Sequence, residues 1–295
     1  MCNLALASGA EVLGWVRTGD SIPGVSSCRV DINDQDTVDK SIADFKPDWI
    51  FHLASIVPKF AFNPNGDDML SVNVSGTYHL LNSVGRYCST SKVLVSGSSS
   101  VYGNCPHTSF PISEDFSLVP LSLYATSKIA QDMLAYQFFI EQDLLTIRAR
   151  TFNQLGPGEG ADRVCGAIAH QIARIEAGLQ HPVIRIRSSV PKRDFTDVRD
   201  VVAGYWAALS LGEVGSVYNI CSGRSRSVGE IIEGLLEVSR INHVDVVEID
   251  GSSRTNDIMD QIGSAKTLST KTSWCPVISF EDSLRDLLDD WRLRI

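Results

Sequence analysis

The chain has 295 residues, of which 43% are hydrophobic and 21% charged, and its formal net charge is -9. This composition indicates a folded globular protein with one large domain or two smaller ones, and it excludes a disordered chain. An acidic balance without a cluster of Lys and Arg argues against nucleic acid as a partner. No apolar run reaches the roughly 18 residues of a membrane-spanning helix and no export signal is evident, so we expect a cytoplasmic protein.

Short β-rich runs alternate with amphipathic segments of helical length in the first half of the chain, which is typical of βαβ units. The predicted strands lie at residues 11–17, 27–31, 48–54, 92–97 and 144–150. The predicted helices, which carry apolar residues at helical spacing, lie at 34–45, 67–88 and 121–142. The fold class is therefore α/β, with a doubly wound parallel sheet of the Rossmann type.

The pattern becomes mixed after the Gly-Pro-Gly turn at residues 156–158. The elements predicted there are a helix near 163–177, a strand near 183–187 and a helix at 198–211. We expect an NAD(P)-binding domain at 1–156 and a smaller substrate-binding lobe at 157–295, from which about 194–220 returns to the first domain. Two lobes joined by short connections would share a cleft.

The start of the chain lacks a feature that a dinucleotide-binding domain normally has. Such a domain begins with a strand, a glycine-rich turn and a helix whose N-terminus receives the pyrophosphate. Here residues 2–8 are typical of the last turns of a helix, closed by Gly9, that leads into the strand at 11–17. We therefore expect that the first strand and its turn are lacking. A truncated gene model or fragment and a naturally shortened relative both remain open.

The strongest local constellation joins Ser98, at the end of a predicted strand, with Tyr124 and Lys128 near the start of a helix. Residues four apart share a helix face, so the Lys128 ammonium can lie beside the Tyr124 phenol and lower its pKa toward working pH. Ser98 can contact the same substrate oxygen, because ligands bind at the carboxyl ends of parallel strands. A YxxxK pair alone is more often an ordinary surface feature, but its βαβ context favours a proton-handling site.

These motifs, SSSVYG at 98–103 and YATSK at 124–128, resemble those of the extended short-chain dehydrogenase/reductases. The resemblance runs from about Ala5 to Trp291 and implies a catalytic trio of Ser98, Tyr124 and Lys128. It also implies a set of residues that bind the cofactor. Beyond Tyr124 and Lys128, these are Arg17, Asp31, Ile32, Leu53, Ala54, Asn73 and Phe152.

The downstream segments at 150–158, 171–178, 193–202 and 217–223 look most like the GDP-4-dehydro-6-deoxy-D-mannose reductases of that family. That likeness implies a GDP-linked sugar as substrate, with Arg193 and Arg254 on the diphosphate, where guanidinium groups bind phosphate oxygens in pairs. It also implies substrate contacts from Ser98, Ser99 and Asn153. For Arg193 a salt bridge to Asp194 or Asp197 stays open, and Arg254 in its polar turn could have a structural role.

The reaction expected is reduction of the 4-keto group of a nucleotide-linked 4-keto-6-deoxy sugar. Dehydration is disfavoured, because Ser99 and Ser100 stand where a sugar 4,6-dehydratase needs an acidic residue. Val16 and Arg17 replace the acidic strand end that would select NAD, which favours NADPH, although Arg17 could also be a solvated strand end. A nucleotide-sugar 4-epimerase of the same family and a non-catalytic nucleotide-binding relative are the alternatives.

The remaining candidate ligands form no recognisable site. The seven cysteines include no CxxC pair and the six histidines no HxxxH pair, so neither disulfides nor a metal is expected. The amphipathic segment 129–139 matches a helix that often forms a dimer in the family. The resemblance therefore implies a homodimer.

Overall fold

In the computed structural model, the described residues are 1–18, 24–58, 65–249 and 258–295. The strands are β1 (Leu13–Val16), β2 (Ser26–Arg29), β3 (Trp49–His52), β4 (Lys92–Ser96), β5 (Leu145–Thr151), β6 (Asn153–Leu155), β7 (Val183–Ile186), β8 (Lys192–Asp197), β9 (Val217–Ile220), β10 (Ser225–Ser227) and β11 (Asp245–Glu248). The helices are α1 (Cys2–Ala7), α2 (Gln35–Phe45), α3 (Gly66–Leu70), α4 (Gly76–Tyr87), α5 (Leu123–Gln142), α6 (Val164–Glu176), α7 (Val198–Leu211), α8 (Val228–Glu237), α9 (Lys266–Thr272) and α10 (Phe280–Arg294).

The first half confirms the α/β class, with all predicted strands and helices present and parallel pairing throughout. One sheet has the order β3-β4-β5-β9, and β1 pairs only with β2 in a separate sheet. Helix α1 ends as the sequence predicts, since Gly9 has a φ of +83°. Among the described residues no ladder joins β1 to β3. The expectation of a lacking first strand therefore stays a prediction.

Local signals explain why the helices begin where they do. The Asp34 carboxylate accepts hydrogen bonds from the backbone N–H groups of Asp36 and Thr37 at the start of α2. The Ser122 hydroxyl does the same for Ala125 at the start of α5, at 3.1 Å. The Ser122 cap fixes the first turn of α5, which carries Tyr124.

The predicted helix at 67–88 is interrupted by one wider turn, Ser71–Ser75, which lies between α3 and α4. Such π-type turns are uncommon and often occur near functional sites. Gly76 directly follows the turn and is needed for close packing, because a Cβ atom there would lie 2.6 Å from the Ile32 side chain. The turn brings Asn73 under the carboxyl ends of the strands.

The second half contains more strands than predicted. β8 lies between β6, to which it is parallel, and the antiparallel β10, while β7 pairs in parallel with β11. Helices α6, α8 and α10 pack against this part around a core that includes Ile168, Ile231 and Leu287. No helix of the described ranges is both long enough and apolar enough to cross a membrane.

A buried ion cluster attaches α5 to β5. The Asp132 carboxylate, 2% exposed, accepts from Arg148 Nη1 at 3.0 Å and from Arg150 Nε at 2.8 Å. Arg150 also donates to the Tyr102 hydroxyl and to the backbone carbonyl of Glu114. Because Asp132 lies one turn after Lys128, this cluster fixes the helix that carries the candidate catalytic pair.

Replacing Asp132 by Ala should strongly destabilise the fold, because two buried guanidinium groups would lose their shared counter-charge. We expect the free energy of unfolding to fall by about 3–5 kcal/mol. Urea denaturation measures it, with Glu141→Ala on the exposed face of the same helix as control, where a change within about 0.5 kcal/mol is expected. Equal stability of the two variants would show that the cluster does not anchor α5.

Candidate active site

The site lies where the parallel strands end. Asp31 follows β2, Leu53 follows β3 and Ser98 follows β4, and parallel strands open their carboxyl ends toward the same edge. Ser98 has extended backbone angles and caps the short 3-10 turn Ser99–Tyr102 by accepting from Ser100 N at 3.2 Å. The sequence of β4 therefore delivers one hydroxyl to the open edge of the sheet.

Tyr124 lies in the first turn of α5, next to Ser98. Burial raises the pKa of its phenol, while a hydrogen bond with Ser98 and the positive charge of Arg163 oppose this rise. The structure thus brings Ser98 and Tyr124 together, as the sequence predicts. It also adds Arg163, the residue before α6, which sequence analysis missed.

Lys128 is the third member of the trio and is 3% exposed. Its ammonium donates to the backbone carbonyl of Ser96 at 2.7 Å and to Gln131 Oε1 at 2.6 Å. Burial lowers the pKa of Lys128 to about 7. The sequence predicts that Lys128 lowers the pKa of Tyr124. In the structure, the effects that lower this pKa come from Ser98 and Arg163 instead. The Lys128 ammonium is directed toward Ser96 and Gln131.

Four of the predicted cofactor-binding residues are accessible or lie at strand ends. Arg17 is exposed directly after β1, and Asp31 is exposed after β2, where its carboxylate accepts from Asn33 N at 3.0 Å. Leu53 is 46% exposed and Ala54 is exposed beside it. All four residues are therefore exposed after the ends of β1, β2 and β3.

The other three lie deeper than predicted. Ile32 is 8% exposed and packs on Gly76, and Phe152 is 3% exposed, with its ring 6.2 Å from that of Tyr102. Asn73 is fully buried: it accepts from Ile56 N at 2.7 Å and donates to Ile56 O and to Ser127 Oγ. In this arrangement Asn73 supports the segment after β3 from below.

The predicted substrate-binding residues occupy different environments. Ser99 is 4% exposed, and its carbonyl accepts from Gln261 Nε2 at 3.1 Å, so its side chain lies inside rather than on the cleft. Asn153 is half-buried on β6 and Arg193 is half-buried on β8. Arg254 lies outside the described residues.

The carboxylates near Arg193 are bound elsewhere. Asp194 accepts from the backbone of Ser222, Gly223 and Gly263, and Asp197 accepts from Arg199. These contacts do not test the role of Arg193 on a diphosphate. That role stays a prediction.

Glu159 is a second titratable group that sequence analysis missed. Burial raises its pKa to about 7, against a backbone hydrogen bond from Gly166 and the charge of Arg163. The Gly-Pro-Gly turn that precedes Glu159 was a visible signal of an irregular loop. Nothing in the sequence showed that this carboxyl would be buried.

The sequence of residues 1–221 matches the NAD dependent epimerase/dehydratase family. The chain belongs to that family. It is an extended short-chain dehydrogenase/reductase and hence an NAD(P)-dependent enzyme.

Individual relatives agree with this assignment. The chain is 34% identical over 251 residues to GDP-6-deoxy-D-mannose reductase from Pseudomonas aeruginosa, covering 84% of this chain and 82% of the relative. It is 31% identical to UDP-glucose 4-epimerase from Mycolicibacterium smegmatis, covering 77% and 70%. The solved structure of RMD from Pseudomonas aeruginosa complexed with NADPH superimposes with a TM-score of 0.84 at 31% identity, covering 93% of this chain and 92% of that chain.

Removing the Ser98 hydroxyl should raise the pKa of Tyr124 further, because the hydrogen bond that opposes the effect of burial would be lost. The phenolate absorbance of Ser98→Ala during alkaline titration, taken as a difference from Ser98→Ala/Tyr124→Phe, measures this midpoint. Ser113→Ala, at an exposed serine, serves as control. An unchanged midpoint in Ser98→Ala would mean that Ser98 does not act on the phenol.

Proposed function

We propose that this enzyme uses NAD(P)H to reduce the 4-keto group of a nucleotide-linked 4-keto-6-deoxy sugar, with GDP as the favoured nucleotide. The observation that carries the proposal is the placement of Ser98 beside Tyr124 at the end of β4, with the Lys128 ammonium on the carbonyl of Ser96, the last residue of that strand. The likeness to a GDP-6-deoxy-D-mannose reductase supports the choice of substrate. We also propose that 1–156 binds the cofactor and that 157–295, apart from about 194–220, mainly binds the sugar nucleotide.

The residues along the sheet edge fit a dinucleotide. Leu53 and Ala54 offer an exposed apolar shelf, and Asp31 ends a strand where an adenosine would lie. Ser96 and Gln131 take two of the three ammonium hydrogens of Lys128, which leaves one that can reach a cofactor ribose. The bound cofactor would supply a hydride to the sugar C4.

The protein's own part in the step is proton handling. The Tyr124 hydroxyl would donate its proton to the oxygen on C4 as negative charge develops there. Ser98 would donate a hydrogen bond to the same oxygen and hold the carbonyl in place, so that charge is stabilised where it appears. The buried phenol stays protonated until the substrate oxygen becomes basic, since burial raises its pKa.

The nearest rival is a nucleotide-sugar 4-epimerase, and the similarity to a UDP-glucose 4-epimerase favours it. An epimerase would oxidise and re-reduce its substrate and would need no added reductant. A non-catalytic nucleotide-binding relative is the second rival. Consumption of NAD(P)H distinguishes the reductase from the epimerase. Binding of the cofactor distinguishes it from the non-catalytic relative.

Replacing Tyr124 by Phe should abolish reduction without abolishing binding. We expect kcat to fall by about 10²–10⁴-fold, the usual contribution of a general acid, with little change in the Kd for NADPH or GDP-sugar. NADPH oxidation at 340 nm and calorimetric titration measure the two effects. Tyr136→Phe, at an exposed tyrosine of the same helix, is the control and should keep full activity. Unchanged turnover in Tyr124→Phe would contradict the mechanism, and a wild-type chain that binds no NADPH would favour the non-catalytic relative.

We propose NADPH over NADH as the preferred reductant, because Arg17 stands where an acidic residue would repel a 2'-phosphate. Replacing exposed Arg17 by Asp should therefore lower the preference for NADPH by about tenfold or more, the equivalent of one charge-assisted hydrogen bond. The ratio of kcat/KM for the two cofactors measures it. An unaltered ratio would show that Arg17 is only a solvated strand end.

We also propose that the enzyme is a homodimer. Apolar side chains on α4 and α5 remain exposed in the single chain, with Tyr78 at 46%, Tyr136 at 42% and Ile140 at 57%. The two helices pack against each other and present these side chains from adjacent surfaces. The dimer rests on this surface and on the family resemblance.

A further inference from the structure

Lys128 belongs to a connected set of buried polar side chains. Its members are Lys128 and Gln131 on α5, His52 at the end of β3 and Thr77 on α4, and none is more than 3% exposed. Gln131 is the centre: its Oε1 lies 2.6 Å from Lys128 Nζ, and its Nε2 lies 2.9 Å from His52 Nε2 and 2.8 Å from Thr77 Oγ1. Gln131 thus links two other elements, β3 and α4, to Lys128.

The hydrogen-bond directions in this set follow from the lysine. An ammonium group has only donors, so the atom of Gln131 that faces it must be the carbonyl oxygen. The amide nitrogen then faces His52 and Thr77, and it donates to the Thr77 hydroxyl. The Thr77 hydroxyl is able to accept, since its own hydrogen goes to the backbone carbonyl of Asn73 at 2.7 Å.

His52 closes this set from β3. Its Nε2 lies 2.9 Å from Gln131 Nε2 and 2.8 Å from Thr77 Oγ1. Burial and the charge of Lys128 lower the pKa of His52 to about 3, which keeps the ring neutral at physiological pH. Gln131 therefore provides the lysine's acceptor and packs its amide nitrogen against a neutral ring.

All acceptors that the described residues offer to the ammonium are neutral. They are the Ser96 carbonyl and the Gln131 side chain, and the ring that faces the lysine from β3 is neutral His52. On its own helix, Tyr124 is protonated, and the Asp132 carboxylate is held by Arg148 and Arg150. Replacing Gln131 by Glu, which has nearly the same shape, would place a carboxylate beside the ammonium.

We propose that Gln131 is a positioning residue that holds the Lys128 ammonium through a neutral acceptor, itself oriented by His52 and Thr77, so that one ammonium hydrogen stays directed to the cofactor side. Its relevance to catalysis rests on the proposed function. The arrangement keeps Lys128 free of a counter-ion. A lysine without a counter-ion can lose and regain its proton near neutral pH, as burial lowers its pKa to about 7.

The Gln131→Glu variant tests this directly in the cofactor-free protein. With the protein labelled with ¹³C at lysine Cε, the Lys128 resonance, assigned by its loss in Lys128→Met, reports the titration midpoint of that ammonium. A carboxylate in hydrogen-bond contact should raise the midpoint by about one to three pH units. Gln137→Glu adds the same charge farther along α5 and should leave it unchanged. A midpoint in Gln131→Glu equal to that of the wild type would overturn the proposal.

A second measurement uses the unaltered protein and does not depend on the variant's folding. In the ¹³C-lysine-labelled wild type, the Lys128 midpoint should lie well below the ordinary lysine value, because burial is not offset by a counter-ion. A wild-type midpoint at or above the ordinary value would contradict a lysine that is held by neutral acceptors.

Neither readout requires sugar reduction. If both hold while Tyr124→Phe leaves turnover unchanged, the proposed reaction fails and the role of Gln131 toward Lys128 stands. If reduction depends on Tyr124 but the titration midpoint of Lys128 is unchanged in Gln131→Glu, the proposed reaction stands and Gln131 has only a structural role. The two claims are therefore tested separately.

Discussion

A lysine ammonium removed from water is costly unless its hydrogens meet acceptors, and Lys128 meets this condition at the point where α5 crosses the end of β4. The carbonyl of Ser96 and the side chain of Gln131 provide two acceptors. This requirement fixes the rotation of α5 about its axis, and with it the position of Tyr124 one turn earlier. The Asp132 cluster with Arg148 and Arg150 reinforces the same rotation from the next turn. The distance between the phenol and Ser98 is thus a consequence of how α5 is held.

The regular elements of the first half could be read from the sequence because their signals are local. Asp34 caps α2 and Gly9 closes α1. In the second half, the bounds predicted for α7, 198–211, agree with the structure. The strands β6, β8 and β10 were not predicted, because they are stabilised by pairing with residues distant in the chain. The wider turn Ser71–Ser75 was missed for a similar reason. It depends on the packing of Gly76 against Ile32, which no local pattern shows.

The candidate site was also predictable only in part. The spacing of Tyr124 and Lys128 and the strand-end position of Ser98 predicted their meeting, because helix and strand geometry determine it. Electrostatics could not be read from spacing: the sequence placed Lys128 beside the phenol, whereas the opposing charge comes from Arg163 and Lys128 faces Gln131. Burial of Asn73, Ser99 and Phe152 was also unpredictable, since it arises from Ser127, Gln261 and Tyr102 on distant segments.

We propose that this centre directs a hydride to C4 of a nucleotide-linked keto sugar. The most direct test supplies NADPH dideuterated at C4 of the nicotinamide together with GDP-4-keto-6-deoxymannose, followed by mass spectrometry and NMR of the product. We expect one deuterium per sugar, located at C4, with one NADPH consumed for each product molecule. Product without deuterium, or a C4 epimer formed without loss of NADPH, would contradict the account.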